Sequence, residues 1–496
     1  MKKIFISSIL IANAFFVFAQ NRPYPQGITH PGCIKPNNVT QQQMNDGVYD
    51  YYTYWKGKYL KNDLTSLPGG YYVKGEITGS PDGYTPLGSS EGQGYGMIIT
   101  ALMAGKDANA KTYFDGLYKT ARAFYSSENP NLMGWVVADN VSAQGHFSSA
   151  TDGDLDIAYA LLLAHYQWGS AGTINYLQAA KDMITKGIKV SNVSSLNRIN
   201  MGDWETKSTT NTRPSDWMFD HFHAFKDATN DVVWDNVLAT TYSMLSTIQT
   251  THSPSTGLLP DFCTGNPVAP AGANFLESAN DGNYYYNACR TPLRIVLDYG
   301  HYADTRAKDA VGKILTFAKT TTGSVASKFK AGYTLSGTNV SGNNYYDAVF
   351  VAPIVAGSVT DVQNQAFLNA GWTSITANKA NYFSDTYNLL CQLFISGNWW
   401  APKPDVTTGT GFIDEMNNEF KVVPNPSTDE FAVTFNANYD EEVNVQIVNL
   451  LGEKVYQKLN YTQGDKINIS GLNAGIYFVQ MSDLQEHIST QKIIIE

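Results

Sequence analysis

Between about residue 41 and residue 400 the chain repeats one pattern, a long stretch with apolar side chains at helical spacing followed by a short cluster of Gly, Pro, Ser or Asn. The spacing predicts helices over 42–60, 93–105, 108–126, 152–168, 173–190, 215–227, 232–250, 288–302, 304–321, 346–357, 361–373 and 379–397. Some of these segments are apolar on nearly every side. The run Leu155-Asp156-Ile157-Ala158-Tyr159-Ala160-Leu161-Leu162-Leu163-Ala164 must be enclosed by other helices, whereas Thr173–Val190 keeps a Lys-bearing face for water. Enclosed helices alternating with half-exposed ones imply two concentric rings. The simplest all-α architecture with that property is a six-hairpin (α/α)6 barrel.

After Trp400 the period changes. Residues 402–418 read as a linker that opens on Pro, Thr and Gly. From 419 to 496 short alternating stretches such as Phe431-Ala432-Val433-Thr434-Phe435 and Val443-Asn444-Val445-Gln446-Ile447-Val448 predict a small C-terminal β-sandwich. At the other end, Lys2 and Lys3, the apolar run Ile4–Phe18 and the sequence Val17-Phe18-Ala19 before Gln20 predict a removable export signal over 1–19. No other segment is long and apolar enough for a membrane span, so none is expected in the mature protein.

Composition narrows the partners. Lys and Arg total 34 against 44 Asp and Glu, a formal net charge of −10, which disfavours nucleic acid and anionic lipid and suits an uncharged or cationic partner. Export makes disulfides permissible among Cys33, Cys263, Cys289 and Cys391, with the pairing open. Neither CxxC nor HExxH spacing occurs, and His221 with His223 reads as ordinary packing or hydrogen bonding; no metal and no cofactor is assigned.

Three stretches place acids beside glycines and aromatics at predicted helix starts. In Ser89-Ser90-Glu91-Gly92-Gln93-Gly94-Tyr95-Gly96 the glycines bring backbone close to whatever Glu91 faces. A carboxylate at a helix N-terminus has its pKa lowered by the dipole, so an acid role for Glu91 needs burial or a second carboxylate nearby. The stretch Thr151-Asp152-Gly153-Asp154-Leu155-Asp156 supplies Asp152; here Thr151 and Asp154 are expected to form a capping box. The third stretch runs from Phe275-Leu276-Glu277-Ser278 through Asp281 and Asn287-Ala288-Cys289-Arg290-Thr291-Pro292, and sets acids and aromatics on a loop ahead of a helix whose first turn holds Pro292.

These motifs resemble glycoside hydrolase family 8 over about Gly27 to Trp400: Ala150 through Ala164 ending at Trp168 matches one family signature, and Ser90-Glu91-Gly92-Gln93-Gly94-Tyr95-Gly96 the acid motif. The resemblance implies a metal-independent, inverting, endo-acting glycosidase domain over 20–401, with Glu91 as proton donor and Asp152 binding and distorting the sugar at the cleavage point. Many members carry the base Asp where this chain has Asn287. A chitosanase-containing subgroup has the same Asn and takes its base from an upstream Glu, which implies Glu277 here, with Asp281 as fallback base and Asn287 orienting the water. Tyr95, Trp135, Trp204 and Arg290 are further candidates for substrate binding, Trp135 and Trp204 by stacking on pyranose faces. The family's usual Trp before the second Arg is Leu293 here. Pro424-Asn425-Pro426, Leu450-Leu451-Gly452-Glu453-Lys454-Val455, Leu472-Asn473-Ala474-Gly475-Ile476-Tyr477-Phe478-Val479 and the terminal Lys492-Ile493-Ile494-Ile495 resemble a type IX secretion sorting domain.

The reading is therefore a glycosidase exported through the periplasm, secreted or held at the cell surface, with a polysaccharide substrate and the type IX machinery as partners. Endo-β-1,4 cleavage of chitosan is favoured, because the Asn287 with Glu277 arrangement resembles the chitosanase-containing subgroup and the negative chain suits a cationic polymer. An endo-β-glucanase or lichenase acting on cellulose or mixed-linkage β-glucan is the alternative, and an inactive surface glycan-binding protein is the alternative from another class.

Overall fold

A computed structural model of the chain describes residues 20–77, 81–404, 420–435, 443–449, 453–482 and 488–496. The expected export signal over 1–19, most of the expected linker and the Leu450-Leu451-Gly452 marker lie outside the described residues. The chain divides into two compact units, Met1–Pro404 and Asp405–Glu496.

The first unit is helical. Its principal helices are α1 (Gln41–Tyr59), α2 (Ser90–Leu102), α3 (Ala110–Ala123), α4 (Thr151–Trp168), α5 (Tyr176–Asp182), α6 (Phe219–Thr229), α7 (Val233–Thr247), α8 (Thr291–Tyr302), α9 (Thr305–Thr322), α10 (Ala348–Gly357), α11 (Gln365–Ala377) and α12 (Tyr382–Ile395). All the expected helices are present, and the differences lie at their ends. The expected 173–190 helix starts at Tyr176 behind the cap of Asn175, then widens into a π-turn at Met183–Ile188 before Lys189–Ser191. Pro214 and Ala288 open short 3-10 turns, so α6 and α8 begin later than the pattern suggested.

Even-numbered helices follow one another in space. Helix α2 packs on α4, α4 on α6, α6 on α8, α8 on α10 and α10 on α12, while α12 also touches α2. Each also packs on an odd-numbered neighbour: α3 on α2, α5 on α4, α7 on α6, α9 on α8, α11 on α10 and α1 on α12. Burial follows this division. Every residue of α10 is buried, as is every residue of α4 from Thr151 to Ala164. Helix α9 buries one stripe only, made by Ala307, Ala310, Val311, Ile314, Leu315, Ala318 and Thr322.

The α2–α4 crossing is made by glycine. A Cβ on Gly153 would lie 2.3 Å from Ser90 Oγ and 2.6 Å from the Ser90 carbonyl carbon, and one on Gly94 would lie 2.5 Å from Asp156 Cβ. Any side chain there would push apart the two helix starts that carry Glu91 and Asp152, at about 1–3 kcal/mol for overpacking alone.

Small two-stranded pairs tie the loops: β1 (Leu60–Lys61) with β2 (Tyr72–Val73), β3 (Pro86–Ser89) with β4 (Val136–Ala138), and β5 (Cys263–Thr264) with β6 (Ala269–Pro270). The second unit is β-rich. Strands β7 (Phe420–Val423), β8 (Glu430–Phe435) and β11 (Lys466–Asn468) form one antiparallel sheet in the order β11-β8-β7. Strands β9 (Val443–Val448), β10 (Lys454–Tyr461), β12 (Gly475–Ser482) and β13 (Ile488–Ile495) form another in the order β10-β9-β12-β13. Alternate residues of both, among them Phe420, Val422, Phe431 and Val433 with Val443, Val445, Ile447, Val479 and Ile493, make one apolar cluster. Among the described residues no helix is long and apolar enough to cross a membrane.

Candidate active site

The candidate residues gather where the even-numbered helices begin. Ser89 caps α2 by accepting the Gly92 N–H at 3.4 Å, and Glu91 stands in the first turn with Ser90 Oγ donating to its Oε2 at 3.3 Å. Antiparallel pairing of Ser89 with Val136, and the Ser90 N–H to Trp135 carbonyl bond at 2.9 Å, set the Trp135 backbone beside this turn.

Asp152, in the first turn of α4, is fully buried between two arginines. Arg213 Nη2 lies 2.8 Å from its Oδ1 and Arg290 Nη1 donates to its Oδ2 at 2.6 Å, with the Gly153 N–H adding a bond at 3.1 Å. Burial opposes this charge, but Arg213 and Arg290 outweigh it and hold the Asp152 pKa below the usual carboxylate value. Glu91 moves the other way. Burial and then the Asp152 charge raise its pKa, against the pull of Arg213 and Arg290. The helix dipole, worth about 0.3–1 kcal/mol for a carboxylate at such a position, does not reverse that direction. One acid with its pKa raised beside one with its pKa lowered is the division of labour that general-acid catalysis draws on.

Arg213 is fixed from behind: its Nε donates to Asp216 at 2.9 and 3.1 Å, and Ser215 Oγ donates to Asp216 at 3.1 Å. Asp216 therefore braces an arginine, and neither capping its helix nor open space claims it. The signal was present in the chain as Arg213-Pro214-Ser215-Asp216, an opposite-charge pair three residues apart across a turn-forming Pro. The step from that pair to Asp152 required the fold.

Glu277 is exposed on the loop before α8, and its Oε2 accepts from Asn287 Nδ2 at 2.8 Å. Asn287 Oδ1 in turn accepts from Arg290 Nη2 at 2.9 Å. One side chain thus joins the Glu277 carboxylate to the arginine that holds Asp152. Asp281, the fallback base, is 1% exposed; one oxygen accepts the N–H groups of Leu276 (2.7 Å) and Glu277 (2.9 Å) and the other that of Ser278 (2.8 Å). Those bonds engage both oxygens in shaping the loop that carries Glu277. Asp261, which the sequence reading missed, does the same for the next turn: its Oδ1 accepts the N–H groups of Tyr285, Asn287 and Ala288 at 3.0, 3.1 and 2.7 Å. Burial, with Glu277 adding to it, pushes Asp261 up to about 7. Nothing in its local sequence, Pro260-Asp261-Phe262, marks it out.

The remaining candidates divide by exposure. Trp135 and Trp204 are 41% and 46% exposed, as stacking surfaces must be. Tyr95 is buried and its hydroxyl accepts from Arg290 Nη1 at 3.1 Å, so it meets the site through Arg290. Leu293 lies wholly in the apolar core. Beneath the site Arg294 holds Asp156 through Nη1 (2.9 Å) and Nη2 (2.5 Å). His221 bridges Asp156 (2.9 Å) and Asp220 (2.8 Å) with its two ring nitrogens. Burial alone would discharge His221, but the two carboxylates outweigh it and raise its pKa.

Two local expectations are corrected. No capping box forms at α4: Ala150 occupies the cap position, Thr151 Oγ1 accepts from Asn192 Nδ2 at 2.6 Å, and Asp154 accepts the Met133 N–H at 2.9 Å. Both side chains serve neighbouring loops, which sequence spacing cannot show. All four cysteines are free, Cys263, Cys289 and Cys391 among buried residues.

Comparison with known proteins gives the family. Residues 82–397 match the model of glycosyl hydrolases family 8, and residues 421–496 match the secretion system C-terminal sorting domain. The chain is 56% identical over 404 residues to an endoglucanase of Bacillus sp. (strain KSM-330), covering 81% of this chain and 87% of that one. It is 43% identical over 403 residues to a β-glucanase of Niallia circulans, covering 80% and 95%. Among solved structures, the apo β-1,3-1,4-glucanase of Paenibacillus sp. X4 superposes with a TM-score of 0.72 at 43% identity, over 77% of this chain and all of that one. The chain is a glycoside hydrolase and belongs to glycosyl hydrolase family 8, with a secretion sorting domain at its C-terminal end.

Proposed function

We propose that the protein is an exported, inverting endo-β-1,4-glycanase in which Glu91 is the general acid and Glu277 the general base. Glu91 protonates the glycosidic oxygen as the bond to the anomeric carbon breaks. A water on the opposite face attacks that carbon and loses its proton to Glu277, so the configuration inverts. Asp152, kept ionised, bears on the sugar whose ring flattens towards the oxocarbenium-like transition state. Asn287 orients the water and holds Glu277, and Trp135 and Trp204 stack on flanking sugars. The alternation of even- and odd-numbered helices supports an (α/α)6 barrel around this site, and the shared core of the two C-terminal sheets supports a β-sandwich. The sorting domain supports type IX export to the medium or the cell surface.

The single observation that carries the reading is the glycine-made α2–α4 crossing, which sets Glu91 in the turn beside an Asp152 held between Arg213 and Arg290; the Asp152 charge adds to burial in raising the Glu91 pKa. It also speaks against an inactive glycan-binding protein, which has no use for that arrangement. For the substrate, the relatives named endoglucanase and β-glucanase favour a glucan with β-1,4 bonds. Chitosan is the second reading, supported by the net charge of −10 and by Asn287 bonded to an exposed Glu277. Reducing-sugar release from barley β-glucan, carboxymethyl cellulose, chitosan and xylan, measured side by side, tests the assignment. The largest rate is expected on β-glucan; a larger rate on chitosan moves the assignment to chitosan, and no release from any of them contradicts a hydrolase acting on these polymers.

A further inference from the structure

Asp298 lies towards the end of α8, eight residues beyond Arg290 and so about 12 Å further along the helix axis. We propose that His223 on α6, Asp298 on α8 and Asp304 at the start of α9 form a binding site for one divalent cation of the zinc type, structural and separate from the catalytic residues.

The donor atoms of these three residues all lie within 4.8 Å of one another. His223 Nε2 and Asp298 Oδ1 are 3.3 Å apart, yet both are buried atoms without a hydrogen bond. A plain histidine–aspartate hydrogen bond would account for their proximity but leaves both atoms unbonded as placed. A tetrahedral zinc with ligand bonds of about 2.0–2.1 Å holds its ligands about 3.3 Å apart, the spacing of the His223–Asp298 pair; Asp304 would close in from within 4.8 Å. Imidazole with carboxylates is a donor set that suits zinc and its first-row neighbours.

The surroundings hold the donors in place. Asp298 is fully buried, and its other oxygen accepts the Tyr242 hydroxyl, which turns Oδ1 towards His223. The His223 ring stacks on Tyr302 with centroids 4.4 Å apart, fixing its plane. Asp304 caps α9 through its Oδ1 and accepts Arg306 on both oxygens, and the Arg306 guanidinium lies over the Tyr242 ring at 4.0 Å, so an arriving cation must displace it from Asp304. Asp220 and Asp227 add negative potential around His223, against the positive Arg306, and burial pushes Asp298 up to about 8, so a cation binding there releases its proton. The His223 side chain is 29% exposed, which gives an ion a way in. A cation there would add a link between α6, α8 and the start of α9 beside the His301–Asp220 contact that already joins α6 to α8.

The test is calorimetric titration of Zn2+ into the full chain after EDTA treatment and dialysis, with thermal unfolding recorded at each step. One equivalent is expected to bind and to raise Tm by several degrees. His223→Ala, and Asp304→Asn, which keeps a capping oxygen at the start of α9, should each weaken binding at least about tenfold. Hydrolysis by the wild type should be unchanged by EDTA. Absence of Zn2+ binding by the wild type, or wild-type affinity in either variant, overturns the site; a loss of hydrolysis on EDTA treatment overturns its separation from catalysis.

Discussion

The two sides of the proposed catalytic site are built in opposite ways. On the acid side, Glu91 and Asp152 stand in the first turns of two helices that cross at Gly94 and Gly153, and Asp152 is buried between two arginines. On the base side, Glu277 is exposed on a loop, held by one bond from Asn287 and shaped from within by Asp281. The rigid side tunes pKa values, because burial and fixed charges act strongly where water is excluded. In the proposed mechanism the attacking water must fit between the base and the sugar on the loop side. An inverting site needs its carboxyl groups about 6.5–9.5 Å apart for that reason, and a loop can supply the base without closing the gap.

The sharpest way to break this comparison is Glu91→Gln. It should lower kcat on β-glucan by about 10³–10⁴-fold while leaving the fold and oligosaccharide affinity intact. An aryl glycoside whose leaving group needs no protonation should recover much of that rate with Glu91→Gln and none of it with Glu277→Gln. The reverse pattern, recovery with Glu277→Gln and none with Glu91→Gln, would mean that the acid and base have been assigned to the wrong sides.

Asp152→Asn comes next, with kcat falling by about 10²-fold and a displaced pH profile. The Asp152 charge raises the Glu91 pKa while Arg213 and Arg290 lower it. Removing the negative charge and leaving both arginines therefore lowers it, and the alkaline limb of the kcat profile should move to lower pH. Unfolding by denaturant should also show a loss of about 3–5 kcal/mol, the usual cost of breaking a buried pair from one side. An unmoved alkaline limb would remove Asp152 from the tuning of Glu91.

Asp281→Ala tests the loop. Three backbone N–H groups lose their acceptor, Glu277 loses its register, and kcat should fall by about tenfold to a hundredfold with little change in the melting temperature. Asp281→Asn, which keeps one acceptor oxygen, should retain more activity than the Ala variant. Smaller still is Trp204→Ala, expected to raise KM by about tenfold with kcat nearly unchanged, as loss of one stacking surface should.

The same contrast decides what could be read from the chain. All twelve helices follow from 3.6-residue periodicity, because an enclosed helix such as α10 has no other way to bury Ala348–Gly357. Glu91, Asp152 and Glu277 were legible as motifs. The reason that Asp152 stays ionised was not: Arg213 and Arg290 come from segments 61 and 138 residues further along the chain. Asp261 was invisible for the same reason, since its work is to accept N–H groups from residues 24 to 27 positions on. Capping at α4 misled because Thr151 and Asp154 fit a local rule while their partners, Asn192 and Met133, are distant. Local rules predict elements; the bonds between elements need the fold.

The proposal that bears most weight is Glu277 as the base, bonded to Asn287. The most direct measurement is kcat/KM of purified Glu277→Gln on barley β-glucan beside the wild type, with folding checked by circular dichroism. A loss of about 10³-fold or more, with a wild-type spectrum, is predicted. Activity within tenfold of the wild type would contradict it.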